Sequence, residues 1–249
     1  MEYQLCKKKT KAKERAIRKK LLSFLLRLIN LLEELSVEIG VKDVKKMSTI
    51  LKVYEQQHQR AYGNPDEKIK DRIVSISKPY IRPIVRGKEA KPVEFGTKVN
   101  KLIVDGIGFI EHFSYDAFNE CTRFKNGIYL QRKLFGKCTH QSGDRIYATN
   151  ENRVYCKTQN IQTNFIPKGK QKVMFVNQSA ILRKELNKER GTVLEGSFGN
   201  DKNHYLLQKV NTRNQFTEKC WIFFGIHTAN VSKIASRIAA QSQPNSRAA

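Results

Sequence analysis

Leu102-Ile103-Val104-Asp105-Gly106-Ile107-Gly108-Phe109-Ile110 is the stretch on which the fold class turns. Apolar residues flank an Asp-Gly pair on both sides, the pattern of a strand, a tight turn and a second strand. Just upstream, Pro92-Val93-Glu94-Phe95-Gly96-Thr97-Lys98-Val99 alternates weakly. Ile73-Val74-Ser75-Ile76-Ser77 and Ile81-Arg82-Pro83-Ile84-Val85-Arg86 read as extended, because their prolines forbid a helix. Two or three antiparallel strands are therefore expected between about residues 70 and 113. Downstream the pattern becomes helical over 116–134, Asn150–Asn160, about Asn177–Gly191 and Trp221–Ile238, with Ile161 opening a return to extended chain. Strands first, then helices alternating with a strand or two, predict an α/β fold with a mixed sheet and flanking helices.

A different pattern precedes the strands. Lys7-Lys8-Lys9, Lys11, Lys13, Arg15, Arg18, Lys19 and Lys20 form a dense basic run. Leu21, Leu25, Leu28, Leu32, Leu35 and Ile39 then recur in steps of four and three, a helical seam widened by Leu22, Leu26 and Ile29. Gly40 is expected to stop this helix, and Asp43 to cap a second one carrying Val44, Met47, Leu51 and Tyr54, which Gly63-Asn64-Pro65 ends. Residues 1–66 thus read as a basic helical hairpin packed through one wide apolar face, 67–240 as the α/β domain, and 241–249 as a polar, disordered tail.

Composition narrows the partners. The 249 residues hold 47 Lys plus Arg against 23 Asp plus Glu, a formal net charge of +24, which favours a polyanion. Ribosome-associated and membrane-surface proteins share that balance. The run Leu21–Leu32 is too short to span a bilayer and is broken by Arg27 and Asn30, so no membrane is expected. Five cysteines at unpaired spacing predict reduced thiols and a cytoplasmic protein. Cys138-Thr139-His140 with Cys121 and Cys156 can be drawn as a zinc site, but close C-x-x-C pairs are missing.

The chemistry-bearing residues lie in two motifs, Gly143-Asp144-Arg145-Ile146-Tyr147-Ala148-Thr149-Asn150-Glu151-Asn152-Arg153 and Leu194-Glu195-Gly196-Ser197-Phe198-Gly199-Asn200-Asp201-Lys202. Each offers a carboxylate, and two carboxylates brought together suit a divalent metal held against phosphate. Taken alone, Asp144 reads as a turn or cap residue and Glu195 as a solvated helix residue. These motifs, together with Arg72 to Lys88, Pro92 to Lys98 and Ser114 to Glu120, resemble blocks of bacterial insertion-sequence transposases of the DDE class, in order from about residue 10 to 238.

What the resemblance implies is an RNase H-like fold in which three acidic side chains hold two Mg2+ ions for DNA strand cleavage and strand transfer. Asp144 is similar to the family's second aspartate and Glu195 to its final glutamate. Lys202 matches a lysine seven residues further on, and Arg190 approximates an arginine of the same signature. Lys202, Arg190, Arg82, Arg86 and Lys88 are the expected contacts to double-stranded DNA, at the element ends and the target. Itself or an intact transposase is the expected oligomeric partner, and the nucleoid the expected location.

One member of the triad is not found. In relatives the first aspartate ends a strand near an Asp-Ala-Thr block upstream of the basic helical segment, and this chain has no such block. Asp71, Asp105 and Asp116 are poor substitutes. The expectation is an N-terminally truncated chain with an incomplete RNase H-like sheet, inactive alone. Met1 would then mark an internal start, a frameshifted second frame or a decayed gene. The competing expectation is a non-catalytic DNA-binding protein that modulates an intact transposase, using the 7–20 run and the strip Arg72, Lys78, Arg82, Arg86, Lys88 and Lys91.

Overall fold

The computed structural model describes residues 10–35, 40–64, 67–85, 93–169 and 173–242. It is a mixed α/β structure, mostly helical, with three two-stranded sheets among the described residues. The chain divides into two compact units, residues 1–96 with 115–117 and residues 97–114 with 118–249.

In the first unit, helix α1 (Lys11–Glu34) is capped by Thr10, whose side chain accepts the Lys13 N–H. Helix α2 (Val41–Tyr62) returns beside it. Arg15 on α1 donates to the Ala61 carbonyl at 2.6 Å and Lys19 sits over the Tyr62 ring, so the basic helix is anchored through its own cations. Four local expectations are corrected. Gly40 is the extended N-cap of α2 rather than the stop of α1, and Asp43 lies within the first turn, pairing with Lys46. The buried line of α1 is Leu22 and Ile29, whereas Leu21, Leu28, Leu32 and Leu35 of the predicted seam are exposed. Residues 73–77 form no strand. Gln56 instead ties this stretch to α2, accepting the Ile73 N–H and donating to the Lys70 and Asp71 carbonyls. Strands β1 (Pro83–Val85) and β2 (Val93–Phe95) pair antiparallel. Ile39, Arg86, Lys88, Lys91 and the tail from 243 lie outside the described residues.

The second unit opens with the hairpin read from sequence, strands β3 (Lys98–Val104) and β4 (Ile107–Ser114). Asp105 and Gly106 have φ of 49° and 73°, the left-handed pair that a two-residue turn needs to match strand twist. The register slips between Asn100 and Lys101, which leaves Glu111 as an extra residue opposite the break. Such a bulge re-aims its side chain, and Glu111 turns inward to 3% side-chain exposure against Arg123.

Helix α3 (Phe124–Phe135) follows a 3-10 turn capped by Asn119, later than the expected start at 116. Strand β5 (His140–Gln141), helix α4 (Asn150–Thr158) and strand β6 (Gln162–Thr163) form a parallel strand-helix-strand unit. Helix α5 (Val173–Glu189) continues through a π turn (Arg190–Glu195) into α6 (Gly196–His204). Helix α7 (Gln215–Ser242) closes the unit, longer at both ends than the apolar run suggests. Asn230 on α7 pairs both amide atoms with Gly108, accepting its N–H at 2.8 Å and donating to its carbonyl at 2.7 Å. A side chain thereby occupies backbone groups that a sheet edge would otherwise leave open.

The core of this unit is Phe124, Ile128, Cys138, Cys156, Ile161 and Phe165, with Tyr147, Ala148 and Tyr155 packed against it. Cys138 and Cys156 are core residues here, whereas His140 of the candidate zinc set is exposed. Burial pushes the Cys156 thiol up to about 11 from its ordinary value near 9, with Cys138 adding in the same direction. A raised folded-state pKa stabilises the fold fully below the unfolded value and loses that contribution as pH rises through the folded one. Unfolding free energy from urea titrations is accordingly expected to fall as pH rises from about 9 to 11, and Cys156→Ala to flatten part of that fall. An unchanged slope in the variant contradicts it.

Candidate functional site

Asp144 lies three residues after β5. It is the N-cap of a 3-10 turn (Arg145–Tyr147), where its Oδ1 accepts the Arg145 N–H at 2.6 Å and the side chain is exposed to solvent. That capping bond fixes the carboxylate at a strand end and leaves Oδ2 without a partner among the described residues. Tyr147 folds back over Gly143, where a Cβ would lie 3.1 Å from the Tyr147 ring. Its hydroxyl donates to Asn100 Oδ1 at 3.1 Å, and Asn100 Nδ2 donates to Glu111 Oε2 at 2.8 Å. Burial, then the nearby Glu120, Glu111 and Asp144 carboxylates, raise the Tyr147 phenol well above its ordinary value, so it remains a donor. The rest of the motif builds the next helix. Thr149 caps α4 through the Asn152 N–H, and buried Asn152 donates to the Tyr147 and Cys121 carbonyls.

Glu195 ends the π turn between α5 and α6. Such turns are strained insertions that recur at functional sites. Glu195 is exposed, and its Oε1 pairs with Arg190 at 3.0 Å. Two hydrogen bonds tie the Asp144 segment to the helix leading into this turn. Ser142 Oγ donates to the Leu186 carbonyl at 3.1 Å, and Asn164 Nδ2 donates to Asn187 Oδ1 at 2.8 Å.

The predicted residues therefore fall into groups. Arg190 and Glu195 are brought together. Asp144 is linked to their helix through the backbone around it. Lys202 is exposed on α6. Arg82, in the first unit, spends its guanidinium on the Pro79 and Ile81 carbonyls at 2.5 and 3.2 Å. Arg86 and Lys88 lie outside the described residues. Asp105, in the hairpin turn, pairs with Arg237.

As a donor set, Asp144 and Glu195 offer hard carboxylate oxygens. Mg2+ is commonly held by one or two of these together with substrate phosphates. Among the described residues no three His, Cys, Asp or Glu side chains converge as a metal group. No family model matches this chain, and no curated protein or solved structure does either.

Sequence reading missed the polar side chains that hold the site. Glu111 is a buried carboxylate near the Tyr147 turn, committed to Arg123 and Asn100. Lys101 on β3 reaches Ser197 Oγ at 2.6 Å and Asp201 Oδ2 at 2.5 Å on α6, with both charged side chains almost fully buried. Asn164 binds Gly143 with both amide atoms. None carried a local signal beyond its residue type.

Proposed function

We propose that this chain is the catalytic-core portion of a DDE-class DNA transposase with an incomplete RNase H-like sheet. The observation that carries the reading is the order of elements around the two carboxylates. An antiparallel hairpin and a helix precede a short strand, with Asp144 three residues beyond its end. A helix and a parallel strand follow, and then a long helix whose π turn ends at Glu195. In an RNase H-like sheet a central strand bears the first aspartate and pairs with the strand leading to the second. Here β3–β4 and β5–β6 are separate pairs, and among the described residues no strand joins them.

On this reading Asp144 and Glu195 would hold Mg2+, which would supply charge stabilisation to the attacking and leaving oxygens of a phosphodiester displacement. The chain's own residues do the rest. The Arg145 N–H holds one Asp144 oxygen, leaving the other for the cation. Arg190 shields Glu195 until DNA phosphate draws its guanidinium away, and Lys202 takes a phosphate as a point charge. With two carboxylates instead of three, the nucleophile is poorly aligned, and strand transfer by the chain alone is expected to be negligible.

A titration of double-stranded DNA with and without Mn2+ separates this reading from a purely electrostatic DNA binder. Affinity should fall steeply with salt, by roughly 10³–10⁵ between 50 and 200 mM if 6–10 phosphates are contacted. Mn2+ should tighten binding in the unsubstituted chain and not in Asp144→Asn or Glu195→Gln. Salt-dependent binding indifferent to Mn2+ and to both substitutions favours the non-catalytic DNA-binding protein. Absence of DNA binding rejects both. Magnesium-dependent strand transfer by the chain alone, lost in Asp144→Ala, rejects the incompleteness of the site.

A further inference from the structure

The Asn164 carboxamide follows β6 and is buried at 9% exposure. Its Oδ1 accepts the Gly143 N–H at 3.1 Å while its Nδ2 donates to the Gly143 carbonyl at 2.8 Å, both bonds being buried. A carboxamide that takes both groups of one residue holds the two peptides flanking it as a neighbouring strand would, and removes their freedom to rotate. The residue it fixes is the one before Asp144. The Tyr147 ring lies where a Gly143 side chain would be, 3.1 Å from the position of a Cβ, so the residue is also closed in at its α-carbon. The second hydrogen of Nδ2 goes to Asn187 Oδ1 on α5, eight residues before Glu195. One side chain thus joins the strand end carrying the first carboxylate to the helix leading to the second.

We propose that Asn164 is a positioning residue for Asp144, and that its carboxamide sets the affinity with which Asp144 takes a divalent cation. The assignment rests on the reading of Asp144 as a metal ligand. Groups that orient a ligand from behind typically control metal affinity by about 10–100-fold, and Asn164 acts on Asp144 through the Gly143 peptide.

A matched control exists in the same unit. Asn230 makes the same two-bond contact with Gly108, at 2.8 and 2.7 Å, on an element that does not carry Asp144. The experiment is a Mn2+ titration of the 15N-labelled full chain, read as broadening of the Asp144 and Arg145 amide signals. Asn164→Ala should weaken Mn2+ binding by on the order of tenfold or more. Asn187→Ala, at an exposed position that leaves the Gly143 contact in place, should weaken it by a smaller factor. Asn230→Ala should lower thermal stability comparably to Asn164→Ala and leave the Mn2+ affinity unchanged. Should Asn164→Ala fail to fold, a smaller loss in Asn187→Ala against no loss in Asn230→Ala supports the assignment. Unchanged affinity in Asn164→Ala, or in Asn187→Ala where that is the folded variant, overturns the assignment and leaves the metal-ligand reading of Asp144 standing, as does an equal loss in Asn230→Ala. Absence, in the unsubstituted chain, of broadening that Asp144→Asn removes overturns that reading and the assignment with it.

Discussion

Lys101→Ala is expected to cost about 3–5 kcal/mol of unfolding free energy, because it strands the Asp201 carboxylate in the interior without its counter-charge. The two side chains are 2% and 6% exposed and meet at 2.5 Å through Asp201 Oδ2, and the buried Oδ1 has no hydrogen-bond partner among the described residues. Desolvation of both charges offsets much of their attraction, so the pair itself contributes little net stability. The double replacement Lys101→Met with Asp201→Leu should therefore recover most of the loss. Urea titrations of the two single variants and the double variant decide the point. Additive losses would show that Lys101 and Asp201 act separately.

Gly108 extends the same argument to the backbone. A Cβ at this position would fall inside contact distance of Lys101 Cε, so the lysine crosses the hairpin only because the residue beneath it is glycine. Gly108→Ala should force the far end of the Lys101 side chain to shift at the expense of its ion pair, a cost absent from a Lys101→Ala background. A coupling between the two substitutions of about 0.5–3 kcal/mol is the expected signature of residues in contact.

The legible parts of this chain were those whose physics is local. Asp105-Gly106 declares its turn because few residue pairs accept two left-handed conformations in succession. The Asp144 motif places a turn and a helix start because its capping groups act within three residues of themselves. The apolar seam of α1 misled because leucines surround more of the helix than one face. Periodicity alone did not distinguish the buried line at Leu22 and Ile29 from the exposed one at Leu21 and Leu28. The supports of the site were illegible for a related reason. Asn164 binds a backbone 21 residues away, Lys101 an aspartate 100 residues away, and Asn230 a glycine 122 residues away. Nothing in an asparagine or lysine codes for a partner at that separation. The β5–β6 pair is two residues long on each strand, below what alternation can signal, and only the intervening helix makes its parallel sense intelligible.

Phe124→Ala should give the other large effect, about 3–5 kcal/mol for loss of a buried aromatic ring. Phe124 is 4% exposed, and its ring centroid lies 5.5 Å from that of Phe165 and 5.9 Å from that of Tyr147. The ring packs α3 against the turn that starts at Asp144 and against the chain just after β6, so the damage should not spread evenly. Amide exchange across residues 143–152 should quicken more than exchange in the β3–β4 hairpin, measured at matched folded fraction. Phe124→Leu, which keeps most of the buried volume, should lose less stability and leave that exchange pattern close to the unsubstituted one. Uniform acceleration in Phe124→Ala would mean that the ring supports the unit as a whole. A local response would instead tie the placement of the Asp144 carboxylate to the packing of a helix that carries none of the proposed ligands.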